Sequence, residues 1–186
     1  MRVIAGKCRS LPLKTIPGSN TRPTTDRIKE TLFNILQPNL PDCRFLDLFA
    51  GSGAIGIEAL SRGASFCCFV EQNKAAVSCI RDNLKFTRLE NQAVLLPMEV
   101  HAALSKLRGE EPFDCIFMDP PYRKNLEKEV LIEFTDASFI GENTLIVVEA
   151  SLDTDFSWAE QAGYLILREK KYKTNVHVFL KRNTDS

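Results

Sequence analysis

Asp47-Leu48-Phe49-Ala50-Gly51-Ser52-Gly53-Ala54-Ile55-Gly56 is the stretch on which the fold turns. Arg44 to Phe49 reads as a short apolar strand, and a helical pattern follows through about Arg62, so Gly51, Gly53 and Gly56 fall at a strand-to-helix turn. Without a Cβ, the backbone there can bend tightly and bring its N–H groups close to a ligand. A nucleotide-type cofactor is implied. The other reading is that these glycines only relieve packing.

Outward from this turn, strand and helix patterns alternate. Phe66 to Val70, Ala93 to Leu96, Phe113 to Met118 and Thr144 to Glu149 read as further strands. Helices are expected at Lys74 to Phe86, Val100 to Leu107 and Asn125 to Phe134, with a short one around Phe156 to Gln161. Tyr164 to Leu167 and Val176 to Leu180 suggest a closing hairpin with one antiparallel strand. Repeated β-α units require an α/β fold with a mostly parallel sheet covered on both faces, and its ligand crevice lies at the carboxyl ends of the strands. Before the first unit, Thr25 or Asp26 can cap a helix carrying Ile28, Leu32, Ile35 and Leu36, which Pro38 ends. Residues 1–24 read as a small β-hairpin extension, and residues 25–183 as the main domain.

The 186 residues, 44% of them hydrophobic, suffice for one domain with its own core. Twenty-four Lys and Arg balance twenty-four Asp and Glu, but unevenly. Positions 1–31 carry seven basic residues against two acidic, and positions 168–182 carry six against one. If the two ends converge they make a phosphate-binding surface from Arg2, Lys7, Arg9, Lys14, Arg22, Arg27, Lys171 and Lys173; otherwise they are ordinary solvated cations. Six cysteines form no C-x-x-C pair, which fits a reduced, cytoplasmic setting. The two histidines stand outside any ligand spacing, so no metal is expected. No signal-peptide pattern and no membrane-length apolar run is present, and a monomer is the expected state.

Two acidic strand ends narrow the cofactor. Glu71 stands twenty residues beyond Gly51, where a carboxylate can accept from both ribose hydroxyls. That geometry would also serve NAD. Asp47, however, would repel a pyrophosphate and attract an ammonium group, which favours S-adenosyl-L-methionine, a cofactor without phosphate. Glu99 reads either as a partner of the adenine amino group or as a helix N-terminal acid.

Asp119-Pro120-Pro121-Tyr122 follows the strand at Phe113 to Met118. The prolines fix φ and disfavour helix before them, which frees the Pro120 carbonyl from a regular ladder. A carboxylate, a carbonyl and the flat ring of Tyr122 together can hold the exocyclic amino group of a planar base. This favours amino methylation of a nucleic acid; a DNA adenine or cytosine amino-methyltransferase, a non-catalytic RNA-binding module and an NAD-linked oxidoreductase are the rivals.

With Arg22-Pro23-Thr24-Thr25-Asp26-Arg27-Ile28-Lys29-Glu30-Thr31-Leu32-Phe33-Asn34, the run from Asp47 through Gly63-Ala64, Val70-Glu71 and Asp119 to Tyr122, the chain resembles the RsmD-type methyltransferases. These act on the N2 amine of one guanine in bacterial 16S ribosomal RNA. The resemblance covers nearly the whole chain. It implies a class I methyltransferase, Rossmann-like sheet of seven strands, with 16S rRNA or a small-subunit assembly intermediate as partner. It places Asp47, Gly51 and Gly53, with Phe49, Ala50 and Ser52 between them, along the methionyl and ribose side of S-adenosyl-L-methionine. Glu71 falls on the ribose, Glu99 near adenine, Thr24 and Thr25 near the cofactor or RNA, and Asp119, Pro120, Pro121 and Tyr122 at the target base. Ser10-Leu11 and Tyr172-Lys173 depart from the family pattern in regions tied to RNA docking.

Overall fold

The computed structural model describes residues 1–16, 26–122 and 124–183. Twelve principal elements follow in chain order: α1 (Asp26–Leu36), β1 (Arg44–Leu48), α2 (Ala54–Ser61), β2 (Phe66–Val70), α3 (Lys74–Thr87), β3 (Ala93–Leu96), α4 (Val100–Leu107), β4 (Phe113–Met118), α5 (Leu126–Phe134), β5 (Ile140–Ser151), β6 (Tyr164–Lys171) and β7 (Asn175–Arg182). The seven strands form one sheet in the order β3-β2-β1-β4-β5-β7-β6. β1 to β5 pair in parallel, and β7 alone runs antiparallel, to β5 on one side and β6 on the other. The alternation of patterns dictated this: short apolar strands separated by helices can close a sheet only through crossovers. The order reverses between β1 and β4, which puts a crevice above their carboxyl ends.

Two cores sandwich the sheet. On one face α1, α2 and α3 pack through Leu32, Phe33, Ile57 and Ile80 against Phe45, Phe69, Phe117 and Val147. On the other, α4 and α5 pack through Leu104, Val130 and Phe134 against Leu46, Ile116 and Val148. Every residue of α2 is buried. A helix buried on every side must be covered on its outer side too, and the N-terminal segment does this. Lys7 N donates to Ser61 O at 2.8 Å, Cys8 N to Ser61 Oγ at 2.9 Å, and a Cβ on Gly6 would lie 1.8 Å from Ser61 O.

Three sequence expectations change. Residues 1–13 pair antiparallel through a single bridge, Arg2 opposite Pro12, with Val3 N donating to Leu11 O at 3.0 Å, rather than through strands of regular length. Phe156 to Gln161 forms successive turns, not an α-helix; Ala159 N reaches Phe156 O at 2.9 Å and Gly163 N reaches Glu160 O at 3.0 Å, an i to i+3 pattern. β5 starts at Ile140 rather than near Thr144, because Phe113 already pairs with Ile140 before a register shift. Among the described residues no helix is long and apolar enough to cross a membrane.

Candidate active site at the carboxyl ends of the strands

The chain leaves β1 through Phe49, Gly51 and Gly53, all in the left-handed region at φ 61°, 56° and 76°. Ala50 N donates to Val70 O at 3.0 Å and Gly53 N to Ala50 O at 2.7 Å, which folds the turn back over β2. A Cβ on Gly51 would meet no atom within 4 Å, so this turn presents an open face. Gly56 differs. Its Cβ would lie 2.3 Å from a Phe69 ring carbon and 2.6 Å from Cys67 Sγ, so it serves the contact between α2 and the sheet.

Carboxylates tie this turn down. Glu71, one step past β2, accepts from Gly51 N and from Asn73 N, each at 2.8 Å. Asp47 is buried in β1 and accepts from Gly56 N at 2.9 Å. Burial pushes its carboxyl up to about 7, against the pull of the Gly56 N–H and helped by the charge of Glu71. Glu99 caps α4, accepting from His101 N at 3.0 Å and Ala102 N at 3.3 Å. Of the two readings offered for Glu99, the helix N-terminal one is therefore occupied. Thr24, Thr25 and Arg22 lie outside the described residues.

Across the switch point, Asp119 follows β4, with Pro120 buried and Pro121 and Tyr122 exposed, the tyrosine by 46%. Phe117 and Met118 stand opposite Val147 and Val148 of β5, so one further step brings Asp119 beside Glu149. Burial raises the Asp119 carboxyl well above its ordinary range, and the charges of Glu149 and Asp47 add to it. Burial also raises the Tyr122 phenol, with Glu149 and Asp119 contributing. Asp119 is thus part-exposed at the crevice and held among carboxylates.

Sequence reasoning missed the group behind Asp119. Glu149 is buried and accepts from Asn175 Nδ2 at 2.7 Å and His177 Nε2 at 3.0 Å, both on β7. His177 Nδ1 in turn faces the Tyr172 hydroxyl at 3.3 Å, consistent with that hydroxyl donating to it. The signal was available: Glu149 closes a β-branched apolar run, as Asp47 and Asp119 close theirs.

The basic residues divide between two regions. Lys171 and Lys173 are exposed on the β6–β7 turn, beside Tyr172 and hence near Glu149. Lys7 sits at the other end of the sheet, its Nζ on Gln92 Oε1 at 2.5 Å just before β3. Arg9 is exposed in the same tip. Arg2 pairs with Asp26 at 3.2 Å and Lys14 with Asp82 at 2.8 Å, both at the surface, and Arg27 is exposed on α1.

An open glycine turn flanked by Asp47 and Glu71 fits a cofactor with cationic and hydroxyl groups and no phosphate. The family described as conserved hypothetical protein 95 matches residues 1–181. Ribosomal RNA small subunit methyltransferase D of Escherichia coli K12 is 36% identical over 172 residues, spanning 91% of this chain and 84% of that one. The protein of the same name from Haemophilus influenzae is 34% identical over 171 residues, spanning 91% and 88%. The solved structure of yhhF from Escherichia coli superposes with a TM-score of 0.84 at 33% identity, covering 98% of this chain and 97% of that one.

Proposed function

The chain belongs to the ribosomal RNA small subunit methyltransferase D family, and from that premise we propose that it methylates the exocyclic N2 amine of a guanine in 16S rRNA. The observation that carries the reading is Asp119, a part-exposed carboxylate at the end of β4 next to Pro120, across the strand switch from an open glycine turn. The cofactor is S-adenosyl-L-methionine, which supplies a methyl group activated by a positively charged sulfur. Asp47, Glu71, Glu99 and the turn from Phe49 to Gly53 would hold it.

The amine lone pair of guanine is delocalised into the ring, so the amine is a poor nucleophile until nitrogen is drawn toward tetrahedral geometry. Asp119 and the Pro120 carbonyl accept its two hydrogens and turn the lone pair toward the glycine turn. Tyr122, exposed at the rim, stacks on the base, and Pro121 stiffens the loop between them. Once nitrogen carries the methyl group it is strongly acidic, and Asp119 takes its proton. Ionised Asp119 is needed at the start of this sequence. Its upward shift therefore makes activity rise with pH above the ordinary carboxylate range.

A base must be unpaired or flipped to reach this loop, so an RNA loop in the 16S molecule or in a small-subunit assembly intermediate is the substrate, bound by a monomer. Residues 1–24 form the RNA-binding extension and 25–183 the catalytic domain. Incubation with labelled S-adenosyl-L-methionine and 30S particles, naked 16S RNA or DNA tests the assignment. Label in N2-methylguanine from the 16S RNA of either preparation is expected, and lost in Asp119→Asn while cofactor binding persists. Label in DNA alone overturns it.

A further inference from the structure

An amine to be methylated sits beside a different ring atom in each base. In guanine the neighbour is N1–H, a donor; in adenine it is N1 and in cytosine N3, both bare acceptors. Asp119 and the Pro120 carbonyl account for the two hydrogens of the amine and leave that neighbour unread.

The strand register supplies one more acceptor at this place. Glu149 continues β5 one residue beyond Val148, whose partner Met118 directly precedes Asp119. Its face is set by alternation: Val147 packs with Phe117 and Phe45 on the α1–α2 side, so Glu149 lies on the same side as Asp47. The charge of Glu149 acts on both Asp119 and Tyr122, the two ends of the proposed base-binding loop. Its side chain is fixed by Asn175 Nδ2 on one oxygen and His177 Nε2 on the other, the Tyr122 hydroxyl donates to it as well, and one lone pair of the carboxylate remains to accept. Beside it, Asn175 Oδ1 is buried with no donor, so the vicinity is rich in acceptors.

We infer that Glu149 is a specificity-determining residue that accepts the N1–H of the target guanine, so that Asp119, Pro120 and Glu149 together match the three donor hydrogens of its N1–N2 edge. This rests on the guanine reading above and deepens it. Adenine and cytosine would set a lone pair against the Glu149 carboxylate, which separates this site from an adenine or cytosine amino-methyltransferase that shares the other two acceptors. Sites built around one N–H reject analogues lacking it far more strongly than apolar pockets reject a missing methyl.

The test uses 16S RNA in which the guanine methylated by the wild-type protein has been mapped and then replaced by 2-aminopurine, which keeps the amine and lacks N1–H. The wild type should favour guanine over 2-aminopurine by roughly 100-fold in kcat/KM. In Glu149→Gln the guanine rate should fall and the preference shrink to within about tenfold, with cofactor Kd unchanged. A merely structural role lowers both RNAs alike, so an unchanged ratio in the variant overturns the inference, as does recognition of O6 alone, which gives the same result. Equal use of both RNAs by the wild type overturns it without any variant. Wild-type methylation at an atom other than guanine N2 is a separate outcome, and it removes the underlying reading of the substrate.

Discussion

Lys29 Nζ lies 3.2 Å from Glu58 Oε2, and neither side chain reaches solvent. Glu58 also accepts from Ile4 N at 2.8 Å, Ala5 N at 3.0 Å and Arg62 Nε at 2.8 Å, so one carboxylate joins the N-terminal segment, α1 and α2. Lys29 in turn donates to Arg2 O at 2.5 Å. Burial lowers the Lys29 pKa, opposed by Glu58. Such a pair is weak evidence for net stability, but removing one partner strands the other. Glu58→Gln should therefore cost about 3–5 kcal/mol, since it leaves a buried ammonium without its counter-charge. Urea denaturation checks this, and Lys29→Met combined with Glu58→Gln should recover part of the loss.

The two kinds of glycine in the first β-α unit should respond oppositely. Gly56→Ala drives a methyl into the Phe69 ring and Cys67 Sγ, and should cost about 1–3 kcal/mol in stability with cofactor affinity kept in the folded fraction. Gly51→Ala meets open space, so the fold bears only the strain of a left-handed residue, about 1–2 kcal/mol. The added methyl occupies the face offered to the cofactor, however. Calorimetric titration should show S-adenosyl-L-methionine binding weakened in Gly51→Ala alone.

Much of this was legible in the sequence because it is encoded locally. Asp47 to Gly56 and Asp119 to Tyr122 announce themselves by glycine, proline and acid at the ends of apolar runs, and the sheet follows from alternation. What escaped is set by tertiary partners. Lys29 counts as a surface cation in any tally of the basic N-terminus, yet its position on the inner side of α1 buries it against Glu58. His177, two residues after Asn175 on the lone antiparallel strand, meets Glu149 only through the register of β7 on β5. Phe156 to Gln161 carries apolar residues at helical spacing, but Gly163 and the start of β6 leave too short a span for anything beyond turns.

Asp47 makes stability depend on pH. Its folded-state value of about 7 stands above its ordinary 3.8, so the folded protein holds a proton that the unfolded chain has released between those values. The contribution is fully present below about 4 and is lost as pH rises through about 7, with an upper bound on the order of 4 kcal/mol. Thermal melts of the cofactor-free protein should fall from pH 5 toward pH 8. Asp47→Asn keeps an oxygen for Gly56 N and carries no charge, so its melting curve should flatten, leaving the slopes from Asp119 and His101, whose shifts have the same sign.

The two basic regions make separate demands on RNA. Lys171 and Lys173 stand on the β6–β7 turn, at the end of the sheet that carries Asp119, whereas Lys7 is held near Gln92 at the opposite end. Lys171 also faces Glu169 at 3.8 Å, an exposed pair that salt readily screens. A strand of RNA threaded toward Tyr122 must pass the first region and need not reach the second. Each phosphate contact removed should lower the slope of log affinity against log salt by about 0.7–0.9. The double change Lys171→Ala, Lys173→Ala should thus cut the slope measured by filter binding to 16S RNA, and Lys7→Ala should cut it less. An equal loss from Lys7→Ala would mean that the RNA wraps past α3 to the far end of the sheet, and the binding surface would then have to be redrawn around the N-terminal segment.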